Sequence, residues 1–291
     1  MPNVTSPGHK LGQRIGNFFE DLFRPRLIAL AGELGLYCDR QGLRATVRGK
    51  KRKVTWYDSR GNPHDLDYVY EKDGSYDVKG VPAAFIELAY RRYTKHSRNK
   101  AGEIEGALVH LGETYRDSCR FLGAILGGEF TDGALNQLRS HGIVILYVPF
   151  ELVVRAFATK GLSLVYPENA TNEFKVQILK GYEALSNADS EDVKTAVLES
   201  IKPEYDTFVN SIKTALLAKI DRIRVLPLFG KEMVFASPSD AIAAIRRHDL
   251  VIDDTVTFTK FEVYVRWTNG NTIDGSFNDR AAAINFLRQY E

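Results

Sequence analysis

Apolar and polar positions alternate along this chain first with a helical period and then with a strand period. Over 12–34, Ile15, Phe18, Phe19, Leu22 and Phe23 recur at three-to-four spacing and predict an amphipathic helix, with Pro25 as a point where it can kink. Segments 54–58 and 65–71 read as strands around the turn Ser59-Arg60-Gly61-Asn62. The run AAFIELA, 83–89, is a short strand after Gly80 and Pro82. A helix is expected over 99–120 on the stripe Ile104, Leu108 and Leu111. Thr131-Asp132 caps another helix that reaches Arg139. The β-branched run GIVILYVP, 142–149, suits a buried central strand. This order of elements predicts a mixed α/β core with one crossover.

Beyond it, 172–220 is mostly helical, with Pro203 dividing two segments. Two strand–strand–helix stretches close the chain: 222–228, 232–236 and 239–248, then 257–268, 271–277 and 278–290. Gly230 to Ala241 and Gly270 to Ala281 keep the same interval, compatible with a duplicated ββα unit or with coincidence. Asn269-Gly270 predicts a type I′ hairpin. The expected fold class is therefore α/β, a mixed central sheet flanked by helices over 1–165. A helical segment over 166–221 and a small C-terminal α+β region over 222–291 follow it.

Composition narrows the class. Of 291 residues, 44% are hydrophobic and 26% charged, which excludes a disordered chain. Two cysteines, Cys38 and Cys119, support neither a disulfide framework nor a four-cysteine zinc site, and point to a reducing, cytoplasmic setting. The longest apolar stretch, 142–158, is broken by Pro149, Glu151 and Arg155, and no secretory signal opens the chain; no membrane association is expected.

The net charge of +2 conceals a balance of +8 over residues 1–100 and −6 over the rest. Arg40, Arg44, Arg48, Lys50, Lys51, Arg52 and Lys53 fall together with no acid between them. Arg91, Arg92, Lys95, Arg98 and Lys100 form a second such cluster. Cations matched to phosphates release counterions and give sequence-independent affinity for nucleic acid; a lone basic run is more often a solvated face, but two runs on either side of a candidate site turn the reading toward nucleic acid.

Between those clusters stand the carboxylates. On strand alternation, Asp65, Asp67 and Val69 share one face, and Leu66, Tyr68 and Tyr70 the other. Glu87 lies inside the apolar strand Phe85-Ile86-Glu87-Leu88-Ala89, where a carboxylate is costly unless it is paired or binds a metal. Asp67 and Glu87 on neighbouring strands would make an oxygen site for Mg²⁺. The same residues also fit a plainer arrangement, with Asp65 capping a turn and Glu87 paired to Arg91 or Arg92. The histidines at 9, 64, 96, 110, 141 and 248 show no zinc spacing, and no Gly-rich phosphate loop is present. His64, beside Asp65, reads as a turn residue or an aid to the site.

At these residues the chain resembles the PD-(D/E)XK nuclease superfamily, which includes most type II restriction endonucleases. That family places an Asp on one strand and Glu-x-Lys on the next. Asp67-Tyr68-Val69 matches the first element and Phe85-Ile86-Glu87-Leu88-Ala89 the second, with Ala89 where the lysine is expected. The resemblance implies a restriction-endonuclease-like core, Mg²⁺ on Asp67 and Glu87, and a displaced lysine on the following helix. Lys100 is the first candidate and Lys95 the reserve, with Glu103 as an acidic helix residue of the site. Glu20, or its neighbour Asp21, resembles the carboxylate that some members supply from the leading helix. Arg91, Arg92, Lys95, Arg98, Arg48, Lys50, Lys51, Arg52 and Lys53 would hold flanking phosphates.

The function so implied is Mg²⁺-dependent cleavage of double-stranded DNA by a type II restriction-type homodimer. Ala89 leaves open a nuclease-fold DNA-binding module impaired in catalysis. A repair or RNA nuclease on the same core is a further alternative. At the hairpin tip, Arg266, Trp267, Asn269 and Asn271 would either read base edges or pack on the core.

Overall fold

Ser6 opens the first helix, its hydroxyl accepting from the His9 N–H, and Pro7 takes the position where a missing N–H loses nothing. The helix, α1 (Pro7–Glu33), continues through Pro25. In this computed structural model, residues 6–94, 97–167, 169–228, 230–248, 251–253 and 256–291 are described. After α1 come β1 (Tyr37–Arg40), the single turn α2 (Ala45–Arg48), the hairpin β2 (Val54–Tyr57) and β3 (Pro63–Leu66), then β4 (Tyr68–Lys72) and β5 (Val81–Arg91). Next follow α3 (Ser97–Thr114), β6 (Phe121–Gly128), α4 (Asp132–Ser140) and β7 (Val144–Pro149). Four helices, α5 (Phe150–Ala158), α6 (Asn172–Glu183), α7 (Asn187–Ser200) and α8 (Lys202–Leu216), complete the first of two compact units, Met1–Leu216.

The fold is mixed α/β, as the periodicity predicts. Five strands form one sheet in the order β1-β4-β5-β6-β7, antiparallel from β1 to β5 and parallel from β5 to β7. The helices α3 and α4 are both crossovers between parallel strands, so there are two crossovers where the sequence suggested one. The additional strand is β6, which falls between the two predicted helices and carries little strand signal because FLGAILGG has three glycines. Those glycines admit aromatic rings onto the sheet: a Cβ on Gly127 would stand 2.3 Å from the Phe19 ring. The strand β7 is an edge rather than the expected centre, and β5 holds the middle.

One face of the sheet packs α1 and α5 to α8, through Phe19, Phe23, Phe157, Val193 and Phe208. The helical segment expected over 166–221 is thus not a separate body, because α6 to α8 bury Ile178, Val197 and Ile212 in the same core as α1. The other face packs α3, α4 and the β2–β3 hairpin, through Trp56, Phe85, Ile104, Leu108 and Leu138.

The second unit, Leu217–Glu291, contains β8 (Ile220–Pro227), β9 (Met233–Phe235), α9 (Pro238–Arg247), β10 (Val251–Asp253), β11 (Val256–Thr257), β12 (Phe261–Trp267), β13 (Thr272–Phe277) and α10 (Arg280–Arg288). The strands β8, β9, β12 and β13 form one antiparallel sheet in the order β13-β12-β8-β9, so the two ββα stretches share a single core. At the hairpin tip only Gly270 has a positive φ, 88°, and its N–H donates to the Trp267 carbonyl. The turn is type I with a glycine bulge, not type I′. Trp267 is 8% exposed and stacks edge-on against Tyr290, which takes it out of any base-reading role. Among the described residues no helix is long and apolar enough to cross a membrane.

Candidate active site

The chain bends at Asp67, between β3 and β4, and this bend changes the expected facing. Leu66 joins Val69 in the core beneath α3, while Tyr68 and Tyr70 point to α1. Continuing the β4–β5 register, in which Tyr68 faces Ile86, sets Asp67 beside Glu87. The Leu88 N–H donates to Asp67 Oδ2 at 2.8 Å and fixes that carboxylate. Glu87 is 6% exposed, and among the described residues its Oε1 has no hydrogen-bond partner. A buried carboxylate oxygen without a donor is an unusual and costly arrangement.

Both carboxylates line an open cleft of about 600 Å³ together with Glu20, Ala89, Arg91 and Lys100. Burial raises the pKa of each above the ordinary carboxylate range. The charge of Asp67 raises Glu87 further, and that of Glu20 raises Asp67, while Lys100 opposes both shifts. Two acids that resist ionising together, one with a free oxygen, form a donor set of hard oxygens suited to a divalent cation. Mg²⁺ fits it, since that ion takes one or two carboxylates and keeps several waters.

Lys100 enters from the first turn of α3 and lines the same cleft as Ala89, so the helix supplies a cation to a cleft where the strand has only a methyl group. Its Nζ is 3.3 Å from Glu103 Oε2. Glu103 itself is 64% exposed on its side chain and is not part of the cleft lining, contrary to the expectation that it faces the metal. Glu20, not the exposed Asp21, faces the cleft, held by the Tyr68 hydroxyl at 3.0 Å and Arg24 Nη2 at 2.6 Å. Asp65 reaches the cleft but is engaged by Lys53 at 2.6 Å and Thr55 at 2.7 Å. One feature of the sequence was missed: Gly12, Gly16 and Glu20 stand four apart on α1, and with Gln13 they make its cleft-facing stripe.

The basic clusters divide sharply. Arg44 is 1% exposed and pairs with Asp39 and Glu71, and Arg48 donates to both Asp39 oxygens at 2.7 and 2.6 Å. Arg48 is therefore held within the protein by Asp39, nine residues earlier, and by the Arg40 and Gly42 carbonyls. Arg92 stacks 4.0 Å above the Phe150 ring and donates to the Tyr166 carbonyl, which holds it in the protein although it borders the cleft. Lys53 is bridged to Asp65. Lys50, Lys51, Arg52 and Arg98 are exposed, and Arg91 lines the cleft. Lys95 lies outside the described residues.

His64 turns away from Asp65 toward Asp58, with Nε2 3.1 Å from Oδ2. It does not line the cleft. Asp58, His64 and His110 come together although no sequence spacing signals it.

No family model matches the sequence, and no curated protein matches it. Among solved structures, the chain is similar to the crystal structure of a protein of unknown function, AF1548, with a TM-score of 0.29 and 11% identity. That similarity covers 66% of this chain and 98% of the other, and at so low a score it carries no argument.

Proposed function

We propose that this chain is a Mg²⁺-dependent endonuclease acting on double-stranded DNA, of the type II restriction class, working in the cytoplasm as a homodimer. The observation that carries the reading is half-buried Asp67 beside buried Glu87, whose Oε1 is unpartnered among the described residues, in an open cleft that also receives Lys100. Asp67 and Glu87 would hold the ion, which when bound polarises a phosphate and lowers the pKa of a water. The Leu88 N–H keeps Asp67 in place, and the Tyr68 and Arg24 donors keep Glu20 at the cleft edge. Lys100 supplies positive charge near both carboxylates, where it can orient a water or offset charge building on phosphorus. Arg91 in the cleft and exposed Arg98 are suited to flanking phosphates, and cutting both strands calls for two such sites, hence the dimer.

Plasmid DNA incubated with the full chain, with and without Mg²⁺, tests this. Discrete fragments are expected with Mg²⁺ and none with EDTA. Asp67→Ala and Glu87→Ala should abolish cutting, and Lys100→Ala should slow it by at least about 100-fold. Cutting by both carboxylate variants at the parent rate would overturn the assignment. Intact plasmid with retained DNA binding would favour the impaired binding module, and a smear would favour a repair-type enzyme.

A further inference from the structure

Away from the cleft, three donors from separate elements meet on the α3 side of the sheet. Asp58 closes the β2–β3 hairpin, His64 stands on β3 opposite Trp56, and His110 lies in the C-terminal half of α3. One ligand atom of each lies within 4.8 Å of the other two. The two imidazole centroids are 5.9 Å apart with ring planes inclined at 52°. None of the three lines the cleft of Asp67 and Glu87.

We propose that Asp58, His64 and His110 form a Zn²⁺ site that ties the β2–β3 hairpin to α3. Two ligands bound at about 2.0–2.1 Å to one tetrahedral ion stand roughly 3.3 Å apart. His64 Nε2 and Asp58 Oδ2, at 3.1 Å, already have nearly that separation. His110 is exposed on its helix, and its ligand atom already lies within 4.8 Å of those of Asp58 and His64. Asp58 is held firmly from behind. Its Oδ1 accepts from the backbone N–H groups of Arg60 and Asn62, and its Oδ2 accepts from Asn62 Nδ2 at 3.0 Å. Such outer bonds orient a metal ligand before the ion arrives.

The donor set selects the metal class. Two imidazoles and one carboxylate suit Zn²⁺, while Mg²⁺ prefers oxygen alone. Three protein ligands leave a fourth position for water. The hairpin already touches the end of α3 through the Ser59 N–H on Thr114 Oγ1 and the Tyr115 hydroxyl on the Tyr57 carbonyl. The ion adds a stronger link between the same two elements. This site does not depend on the nuclease reading.

The test uses the full-length chain carrying both Asp67→Ala and Glu87→Ala, stripped with EDTA, so that the cleft carboxylates cannot bind the ion. Calorimetric titration with ZnCl₂ is expected to give one ion per chain, and His110→Ala or His64→Ala should weaken binding at least about 100-fold. Bound Co²⁺ should show the visible absorption of a tetrahedral site. Should the cleft substitutions unfold the chain, the parent protein titrated in excess Mg²⁺ provides the same reading. No binding, or equal binding by the parent and both histidine variants, would overturn the proposal. Either result leaves the Mg²⁺-dependent plasmid assay to be judged separately.

Discussion

A half-buried and a buried carboxyl group side by side make Asp67 and Glu87 a pH-sensitive part of the fold as well as the proposed cation site. Their folded pKa values are raised, chiefly by burial, above those of the unfolded chain. From the ordinary carboxylate range near about pH 4 up to the raised values, the native state therefore binds more protons than the unfolded state. Their contribution to stability is full below that window and is lost as pH rises through it. In EDTA, the melting temperature should fall from about pH 4 toward neutrality, less steeply in Glu87→Gln, and Mg²⁺ should restore it at neutral pH. Parallel profiles for the two proteins would refute the burial argument. Arg44 has the opposite character, since its guanidinium neutralises two buried acids, Asp39 and Glu71. Arg44→Ala should cost about 3–5 kcal/mol in urea unfolding, because the buried Glu71 loses its cation and Asp39 is left with Arg48 alone. Exposed Lys51→Ala should change stability by less than about 0.5 kcal/mol.

At the scale of elements, the site depends on how closely α1 approaches the sheet. Phe19 lies flat over β6 at Gly127, and Glu20, the next residue, reaches the cleft. A methyl group at Gly127 would overlap the Phe19 ring, whose neighbours Phe18, Phe23 and Tyr90 leave it little room to move. Gly127→Ala should therefore destabilise by about 1–3 kcal/mol. A shift of the midpoint in denaturant would measure it, and an unchanged midpoint would show that α1 can retreat. The same glycines explain why β6 was hidden: strand propensity resides in branched and aromatic side chains, and here the rings are supplied by other elements. Helix α3 was legible from its apolar stripe, although its end at Thr114 precedes the predicted one because the Arg120 N–H already donates to the Ala83 carbonyl of β5.

Across the whole molecule, two units have separate cores, each with one tryptophan, Trp56 in the first and Trp267 in the second. Single-tryptophan variants made by Trp56→Phe or Trp267→Phe should report separate unfolding transitions. Arg44→Ala should lower the one seen by Trp56 and leave that of Trp267 in place; one shared transition would contradict this. The mixed α/β class, the strand from Val54 with the turn after it, the strand carrying Glu87 and the helix carrying Lys100 were determined by the sequence alone, because each depends on local periodicity and turn chemistry; the break of the expected strand 65–71 at Asp67 was not. Only the tertiary structure decided which charges act on which. It brought Asp39 and Glu71 onto Arg44, Glu20 to Asp67, Lys100 into the cleft that Ala89 lines, and His110 to Asp58 and His64. Most of these meetings join residues far apart in the chain, and Coulomb and coordination forces depend on distance in space, which no sequence spacing records.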